Sequence, residues 1–424
     1  MKLLRSIAAI LVMALIVVGC STGAPSSGNQ GSAPNNSAPP AGTTTSPNDS
    51  GSQAAAPSGK PIKIGNILPL TGRAASLGQL QRIALELAME DVNAQGGING
   101  HPLEIIFEDD QLNPQQSVTL FRKLVNDDQV LAVIGPQSGG GFEAVAPLAN
   151  QFETPTINVN ALKPGIAKLP WAMRFHSPDN YMIPEGVKKF VQAYPHVKRV
   201  VIIGDVKEAS GAAGMEEFEK AAIAEGLEVI DKVGYQTGAT DFSAAITKVK
   251  SYNPDAVFVS SLLAETLGAA KEMERQGFNI PILVNALTWV GVFPISAETA
   301  AKNWHTIGFS TNEVDPNENP ELADFTNRFI EKSLSNSQIQ QPANVANNAL
   351  AYDAVMIIAD ILRKEGITPD TPLKEARQKL RDNLVQIRDH DGLYKFSMTE
   401  SGDGYIESKV LKADLEKKIW VELK

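Results

Sequence analysis

From Lys60 onward, short apolar runs of strand length alternate with stretches of helical periodicity, and that order confines the chain to parallel strands joined by crossover helices. Pro61 to Leu68 reads as a strand closed by Pro69 and Gly72. The helix after it carries Leu80, Ile83, Ala84, Leu87 and Ala88 on one face and stops at Gly96-Gly97. Leu103–Phe107 is the next strand, with Asp109-Asp110 at its end. Asn113-Pro114 then opens a helix whose apolar positions are Val118, Phe121, Leu124 and Val125. The strand Leu131–Gly135, a helix from Ser138–Gly141 to about Phe152, and the strand Pro155–Val159 complete the block. A second block repeats the scheme: strands at Arg199–Gly204, Leu227–Val233, Ala256–Ser260 and Ile280–Val284, with helices at Gly214–Glu225, Asp241–Ser251 and Glu265–Gln276. The predicted fold is therefore α/β, with two Rossmann-like lobes. Ligands of open parallel sheets lie beyond the C-terminal strand ends, so two facing lobes share one cleft. Asn344–Lys364 reads as a strong helix, and Lys409–Leu411 with Ile419–Val421 as a terminal hairpin.

The N-terminal part has a different character. Lys2 and Arg5 precede an apolar run from Ile7 to Val18, which is too short for a membrane-spanning helix and suits a signal peptide over residues 1–19. Val17-Val18-Gly19-Cys20 resembles the bacterial lipobox, which implies that the thiol of Cys20 carries lipid and becomes the mature N-terminus. Cys20 is the only cysteine, so no disulfide can form within the chain. Up to Lys60 the sequence is Gly, Ala, Ser, Thr, Pro, Asn and Gln with almost no charge, and nothing in it offsets the entropy of ordering. Residues 20–60 thus read as a lipidated, flexible tether that spans roughly 35 Å on average.

Composition narrows the function. Hydrophobic residues make up 43% and charged residues 20%, as in an ordinary globular protein. The formal charge of −10 becomes −12 once Lys2 and Arg5 leave with the signal. With a pI near 5.2, no basic face for nucleic acid is expected. No later apolar run stands out as a membrane span, so the body reads as soluble.

Several stretches, taken in order, resemble the extracytoplasmic solute-binding proteins of ABC transporters, leucine/isoleucine/valine-binding type. They are Ile64-Gly65 through Leu70-Thr71-Gly72, Asp91 through Gly100, Asp109-Asp110 with Asn113-Pro114, and Val133 through Pro136. Met173-Arg174 with Ser177-Pro178-Asp179, and Tyr352-Asp353-Ala354, fit as well. The resemblance implies a type I periplasmic-binding fold: two lobes joined by three crossovers near Ser177–Asp179, Gly308–Ser310 and Ser397–Lys409. Lobe 1 would comprise residues 61–178 and 309–398, and lobe 2 residues 179–308 and 405–424. It also implies a lipid-anchored, extracytoplasmic and monomeric protein, with a small-molecule ligand and an ABC permease as partners.

The start of the helix at Ser138, Gly139, Gly140 and Gly141 is the leading ligand-site candidate. Unshielded backbone N–H groups at a helix N-terminus favour a carboxylate, although Ser138 capping a tight turn explains the same residues. Asn158, Asn160 and Ala161 match the family's second binding loop, while asparagine is also a common turn residue. By resemblance, Leu77, Ser210 and Leu263 stand where amino-acid binders place aromatic cleft residues. Arg174, His176, Asp179 and Tyr181 fall at the first crossover, facing the cleft by resemblance, with Arg174 read as structural and His176 as a hydrogen-bonding contact to ligand.

Asn285-Ala286-Leu287-Thr288-Trp289 holds no acid where the family places the ammonium partner. Glu265 could substitute, although its place in the first turn of a helix favours an interaction with the helix dipole instead. With Leu77, Phe142, Leu263, Leu287 and Trp289 as candidate walls, the expected cleft is apolar. An apolar carboxylate or amide is expected to bind better than leucine, since a buried, unpaired ammonium is poorly compensated. No nucleophile–base pair, metal-ligand spacing or cofactor motif appears, so neither an enzyme nor a cofactor is expected. The alternative is a sensory ligand-binding subunit of a receptor system.

Overall fold

The computed structural model describes residues 56–288, 293–311, 314–339 and 345–423. Cys20, the signal segment, all but the end of the tether, and Trp289 lie outside them. The first lobe begins with β1 (Ile62–Leu68), α1 (Ala75–Ala94), β2 (Leu103–Asp109), α2 (Pro114–Asn126) and β3 (Ala132–Ile134). It continues through α3 (Gly139–Gln151), β4 (Thr156–Asn158) and β5 (Ala172–Arg174). These strands form one parallel sheet in the order β2-β1-β3-β4-β5.

The chain then crosses to the second lobe: α4 (Asp179–Ala193), β6 (Arg199–Asp205), α5 (Ala209–Ala224), β7 (Glu228–Tyr235) and α6 (Ser243–Ser251). It is followed by β8 (Ala256–Ser260), α7 (Leu263–Arg275), β9 (Ile282–Val284), α8 (Phe293–Ala297) and β10 (Trp304–Gly308). A return visit adds α9 (Pro320–Ser335), α10 (Val345–Lys364) and α11 (Leu373–Leu384) to the first lobe. A small antiparallel sheet of β11 (His390–Asp391), β12 (Lys395–Met398) and β13 (Gly404–Tyr405) precedes β14 (Lys409–Asp414) and β15 (Ile419–Glu422).

The second sheet runs β15-β14-β10-β9-β8-β6-β7. Strands β6 to β10 are parallel, but β14 pairs antiparallel with both β10 and β15, so this sheet is mixed where a parallel one was expected. The expected terminal hairpin is β14–β15. Elements that went unread in the sequence are α4, β5, α8, β10, α9, α11 and β11–β13. Helix α4 contains Pro184 and Gly186, which blur its periodicity, and β5 is only three residues long. Helix α5 starts at Ala209 rather than Gly214, because the Glu208 carboxylate caps it by accepting from Gly211 N at 2.6 Å.

Helix α10 is, by length and composition, apolar enough to cross a membrane, which corrects the expectation that no such run exists. In the fold 78% of its apolar window is buried, and it packs on α1, α9 and α11 as a core helix. The stretches that resembled a family have structural work here. Asp91 accepts the Arg328 fork at 2.8 and 2.7 Å and the Tyr352 hydroxyl at 2.7 Å. Asp353 accepts from Leu393 N and Tyr394 N at 3.0 and 3.3 Å, and burial pushes its carboxyl up to about 7.

The crossings between lobes are tied to one another. Arg174, fully buried, donates from Nε and Nη2 to Asp403 Oδ1 at 3.0 and 2.6 Å, and from its backbone N–H to Gly402 O at 2.9 Å. Ser177 Oγ accepts from Ile406 N at 2.8 Å. His176 packs edge-on against Phe309 at 5.4 Å, and Phe309 against Tyr394 at 4.9 Å. Residues far apart in sequence thus hold the path from lobe 1 to lobe 2, the return, and the final passage side by side.

Candidate functional site

In lobe 1 the site is built from the loops after β3 and β4. Ser138 is extended (φ −74°, ψ 145°), and its Oγ accepts from Gly141 N at 3.0 Å, so the N-cap reading holds. A Cβ on Gly141 would lie 2.8 Å from Ser117 Oγ and Ser138 Oγ, whereas Gly139 and Gly140 have room around them. Only Gly141 is sterically required. Among the described residues no acceptor meets the N–H groups of Gly139 or Gly140, and Gly140 is exposed. The cap and the donor site therefore coexist in one turn.

Asn158 has another role than the one expected. It is fully buried; its Oδ1 accepts from Asn160 N and Ala161 N at 2.9 and 2.7 Å, and its Nδ2 donates to Pro136 O and Gln137 O at 2.7 and 3.3 Å. All four hydrogen-bonding positions of the amide are engaged within the protein, so Asn158 braces the two loops against each other and is left nothing to offer a ligand. Asn160 differs, since its buried Oδ1 has no partner. Ala161 is 9% exposed, and its carbonyl accepts from Arg174 Nη1 at 2.9 Å. Leu77 lies 44% exposed on α1, and its carbonyl accepts from Gln137 Nε2 at 3.2 Å, which ties α1 to the loop after β3. Phe142, expected as a wall, is fully buried among Val145, Ala146 and Ile67 and is core.

In lobe 2 the loops after β7, β8 and β9 rest on a buried hydroxyl chain. Tyr235 Oη donates to Ser261 Oγ at 2.6 Å, which lies 2.8 Å from Thr266 Oγ1, itself 3.4 Å from Thr288 Oγ1. Ser260 Oγ donates to Gly211 O at 2.8 Å and accepts from Asn285 Nδ2 at 3.1 Å, which joins the start of α5 to the end of β9. Ser210, Leu263 and Leu287 are half-buried around this frame. Asn285 is fully buried, and its Oδ1 has no partner. Glu265 is not free: its Oε1 accepts from Gly238 N at 2.9 Å.

At the first crossover, His176 is neutral, because burial pulls it down to about 4. Its Nδ1 lies 2.7 Å from Ser177 O and its Nε2 faces the Asn347 amide at 3.3 Å, so both ring nitrogens are occupied and the expected ligand contact is replaced by a hinge contact. Tyr181 stands on α4 against Tyr405 of the third crossing, 6.4 Å ring to ring.

Asp179 opens α4 and is fully buried, yet neither carboxylate oxygen has a hydrogen-bond partner among the described residues. Burial pushes it up to about 7 against the pull of Arg174, with the Asn285 side chain beside it. The sequence puts Asp179 at the crossover, away from the stretch after β9 and from Glu265, where the ammonium partner is expected. A Pro-Asp pair at a helix start was the available signal.

A cavity of about 740 Å³ opens elsewhere, between Asp91, Asp324, Arg328, Tyr352 and His390. The Arg328 charge there is already paired with Asp91 and Asp324. No cluster of His, Cys, Asp or Glu suited to a metal occurs among the described residues.

Comparison with known proteins agrees with this architecture. The family model described as periplasmic binding protein matches residues 61–404. The Leu/Ile/Val-binding protein BraC3 of Rhizobium johnstonii is 25% identical over 325 residues, covering 75% of this chain and 84% of that protein. In fold, the chain is similar to the branched-chain amino acid transporter substrate-binding protein LivJ of Streptococcus pneumoniae, solved with isoleucine (TM-score 0.69, 23% identity, covering 86% of this chain and 100% of that one). It is also similar to an ABC-transporter solute-binding protein of R. palustris solved with benzoate (TM-score 0.68, 20% identity, 86% and 95% covered). With two α/β lobes, three tied crossings and a match over most of its length, the chain belongs to the periplasmic binding protein family.

Proposed function

We propose that this protein captures a small solute between its two lobes and delivers it to the permease of an ABC transporter, held at the outer face of the membrane by lipid on Cys20. The observation that carries the reading is the pair of unmet N–H donors at Gly139 and Gly140, placed at the strand ends of lobe 1 where an open α/β sheet binds ligands. Lobe 2 supplies Ser210, Leu263, Asn285 and Leu287 from its own strand ends. The solute class is a branched-chain amino acid or a related apolar carboxylate or amide, a range that the names of the relatives also span. Nothing in this arrangement calls for a catalytic step, a cofactor or a nucleic-acid partner.

Two measurements test it. A thermal-shift screen of purified protein against amino acids, aliphatic and aromatic carboxylates and amides should give stabilisation, and uptake of the hit should fall when the gene is deleted. A hit whose uptake is unaffected by deletion would remove the transport role. For the anchor, Cys20→Ser should move the protein from the membrane to the soluble extracytoplasmic fraction. Membrane retention equal to wild type would sink that part.

A further inference from the structure

Buried polar atoms almost always find partners, so the exceptions at a cleft indicate what a ligand must bring. Four residues at the strand ends leave such exceptions, and all are acceptors: Asn160 Oδ1, both oxygens of Asp179, Asp205 Oδ2 and Asn285 Oδ1. Of the two acids, Asp205 is met at its other oxygen by Lys207 N and Glu208 N, whereas Asp179 is unpartnered at both. Its neighbours Arg174 and Asn285 compensate it only in part. The Arg174 guanidinium directs its bonds to Asp403 Oδ1 and to the carbonyls of Ala161 and Lys163, at 2.6–3.0 Å. The Asn285 Nδ2 donates one N–H to Ser260 Oγ and leaves only its second near Asp179, too poorly placed for a full hydrogen bond. Glu208 and Glu217 of α5 are near enough to push Asp179 further towards its neutral form.

The position of Asp179 joins both lobes. Its backbone N–H donates to Leu162 O at 3.2 Å, in the loop that carries Asn160 and Ala161, while its side chain lies beside Asn285 at the end of β9. A fully buried carboxylate with no donor costs several kcal/mol in general and persists in a fold only if something offsets it. A core aspartate with a structural task would be expected to accept backbone N–H bonds, as Asp353 does.

We propose that Asp179, with the Asn285 amide oxygen beside it, receives the ammonium group of the solute, in place of the acid that is missing after β9. This inference rests on the capture reading above and deepens it. The solute would carry a carboxylate towards Gly139 and Gly140 and an ammonium towards Asp179, so leucine-like amino acids bind better than their deaminated analogues. That reverses the preference expected from the sequence.

The test is isothermal titration at pH 8 with matched pairs: L-leucine against 4-methylpentanoate, and L-phenylalanine against 3-phenylpropanoate. Wild type should prefer the amino acid of a pair by roughly tenfold or more. Asp179→Asn should weaken the amino acid by about tenfold to a hundredfold, leave its deaminated partner unchanged, and keep or raise the melting temperature of the ligand-free protein, because an unpaired buried charge is removed. Glu265→Gln should leave the ratio as in wild type. A wild-type preference for the deaminated compound, an unchanged ratio in Asp179→Asn, or loss of the ratio in Glu265→Gln instead would each overturn the assignment. Binding only of neutral solutes would overturn it while leaving capture intact. Binding of nothing in the wider screen would remove the capture reading as well.

Discussion

Lobe 1 and lobe 2 carry similar sheets, yet their strand ends are left in opposite states. In lobe 1 the loops after β3 and β4 are locked by the four hydrogen bonds of Asn158, and what remains unmet includes two N–H donors at the start of α3. In lobe 2 the loops are locked from beneath by the Tyr235–Ser261–Thr266–Thr288 chain, and what remains unmet is a set of acceptors at Asp179 and Asn285. Each lobe fixes its backbone first; lobe 1 then offers the N–H donors beside the Asn160 acceptor, and lobe 2 offers acceptors. This contrast lets a ligand be oriented, because a molecule with an acceptor at one end and a donor at the other fits only one way round.

The most severe way to break the comparison is to untie the crossings that hold the lobes in register. Asp403→Asn leaves the Arg174 guanidinium buried without its counter-charge, and a loss of about 3–5 kcal/mol is expected by chemical denaturation. A loss below about 1 kcal/mol would mean that the carbonyls of Ala161 and Lys163 suffice to hold Arg174.

A sharper cut removes one donor from lobe 1 and nothing else. Gly139 is the first residue of α3 and follows an extended Ser138, a setting in which proline is tolerated. Gly139→Pro should therefore fold with a melting temperature near wild type while a carboxylate ligand binds about tenfold to a hundredfold more weakly. Unchanged affinity would place the carboxylate elsewhere.

The smallest effect sets the cleft carboxylate against the hinge histidine. His176 and His305 are both lowered to about 4 by burial, so the unfolded chain takes up protons between about pH 6.5 and 4 that the folded one refuses; acidification there destabilises. Asp179 and Asp353 are raised to about 7, so the folded chain keeps protons that the unfolded one has released above about 4; raising the pH through that window destabilises. The two slopes oppose each other, and melting temperature should vary little between pH 4.5 and 6.5 on their account. Asp179→Asn should tilt the curve so that stability rises with pH. A parallel displacement without change of slope would show that Asp179 does not titrate there.

The alternation of strands and helices was legible because buried parallel strands must be apolar throughout and their helices must repeat at 3.6 residues. Helix α4 escaped because Pro184 and Gly186 interrupt the pattern. The β14–β15 hairpin was legible, but its antiparallel pairing with β10 was not, because pairing direction is decided by where the chain returns, which local composition does not encode. The site was readable as far as backbone chemistry goes: Ser138–Gly141 had the right residues for a helix start with free donors. It was not readable for Asn158, His176 and Asp179. Those three types look alike as polar residues near a strand end, and only the partners around them distinguish a brace, a hinge contact and an open carboxylate.

The mixed edge of sheet 2 has a consequence for how the chain comes to fold. Strand β10 ends at Gly308, and the strand that covers its edge begins at Lys409, after the chain has gone back to finish lobe 1. As synthesis proceeds from the N-terminus, lobe 2 acquires its helices and five parallel strands with β10 open along one side, a template for pairing with another copy. The β14–β15 hairpin reaches it only after a long loop is closed, a slow step of high contact order. Lobe 2 is thus begun before lobe 1 is complete and finished after it, so its open edge persists until lobe 1 has all its elements.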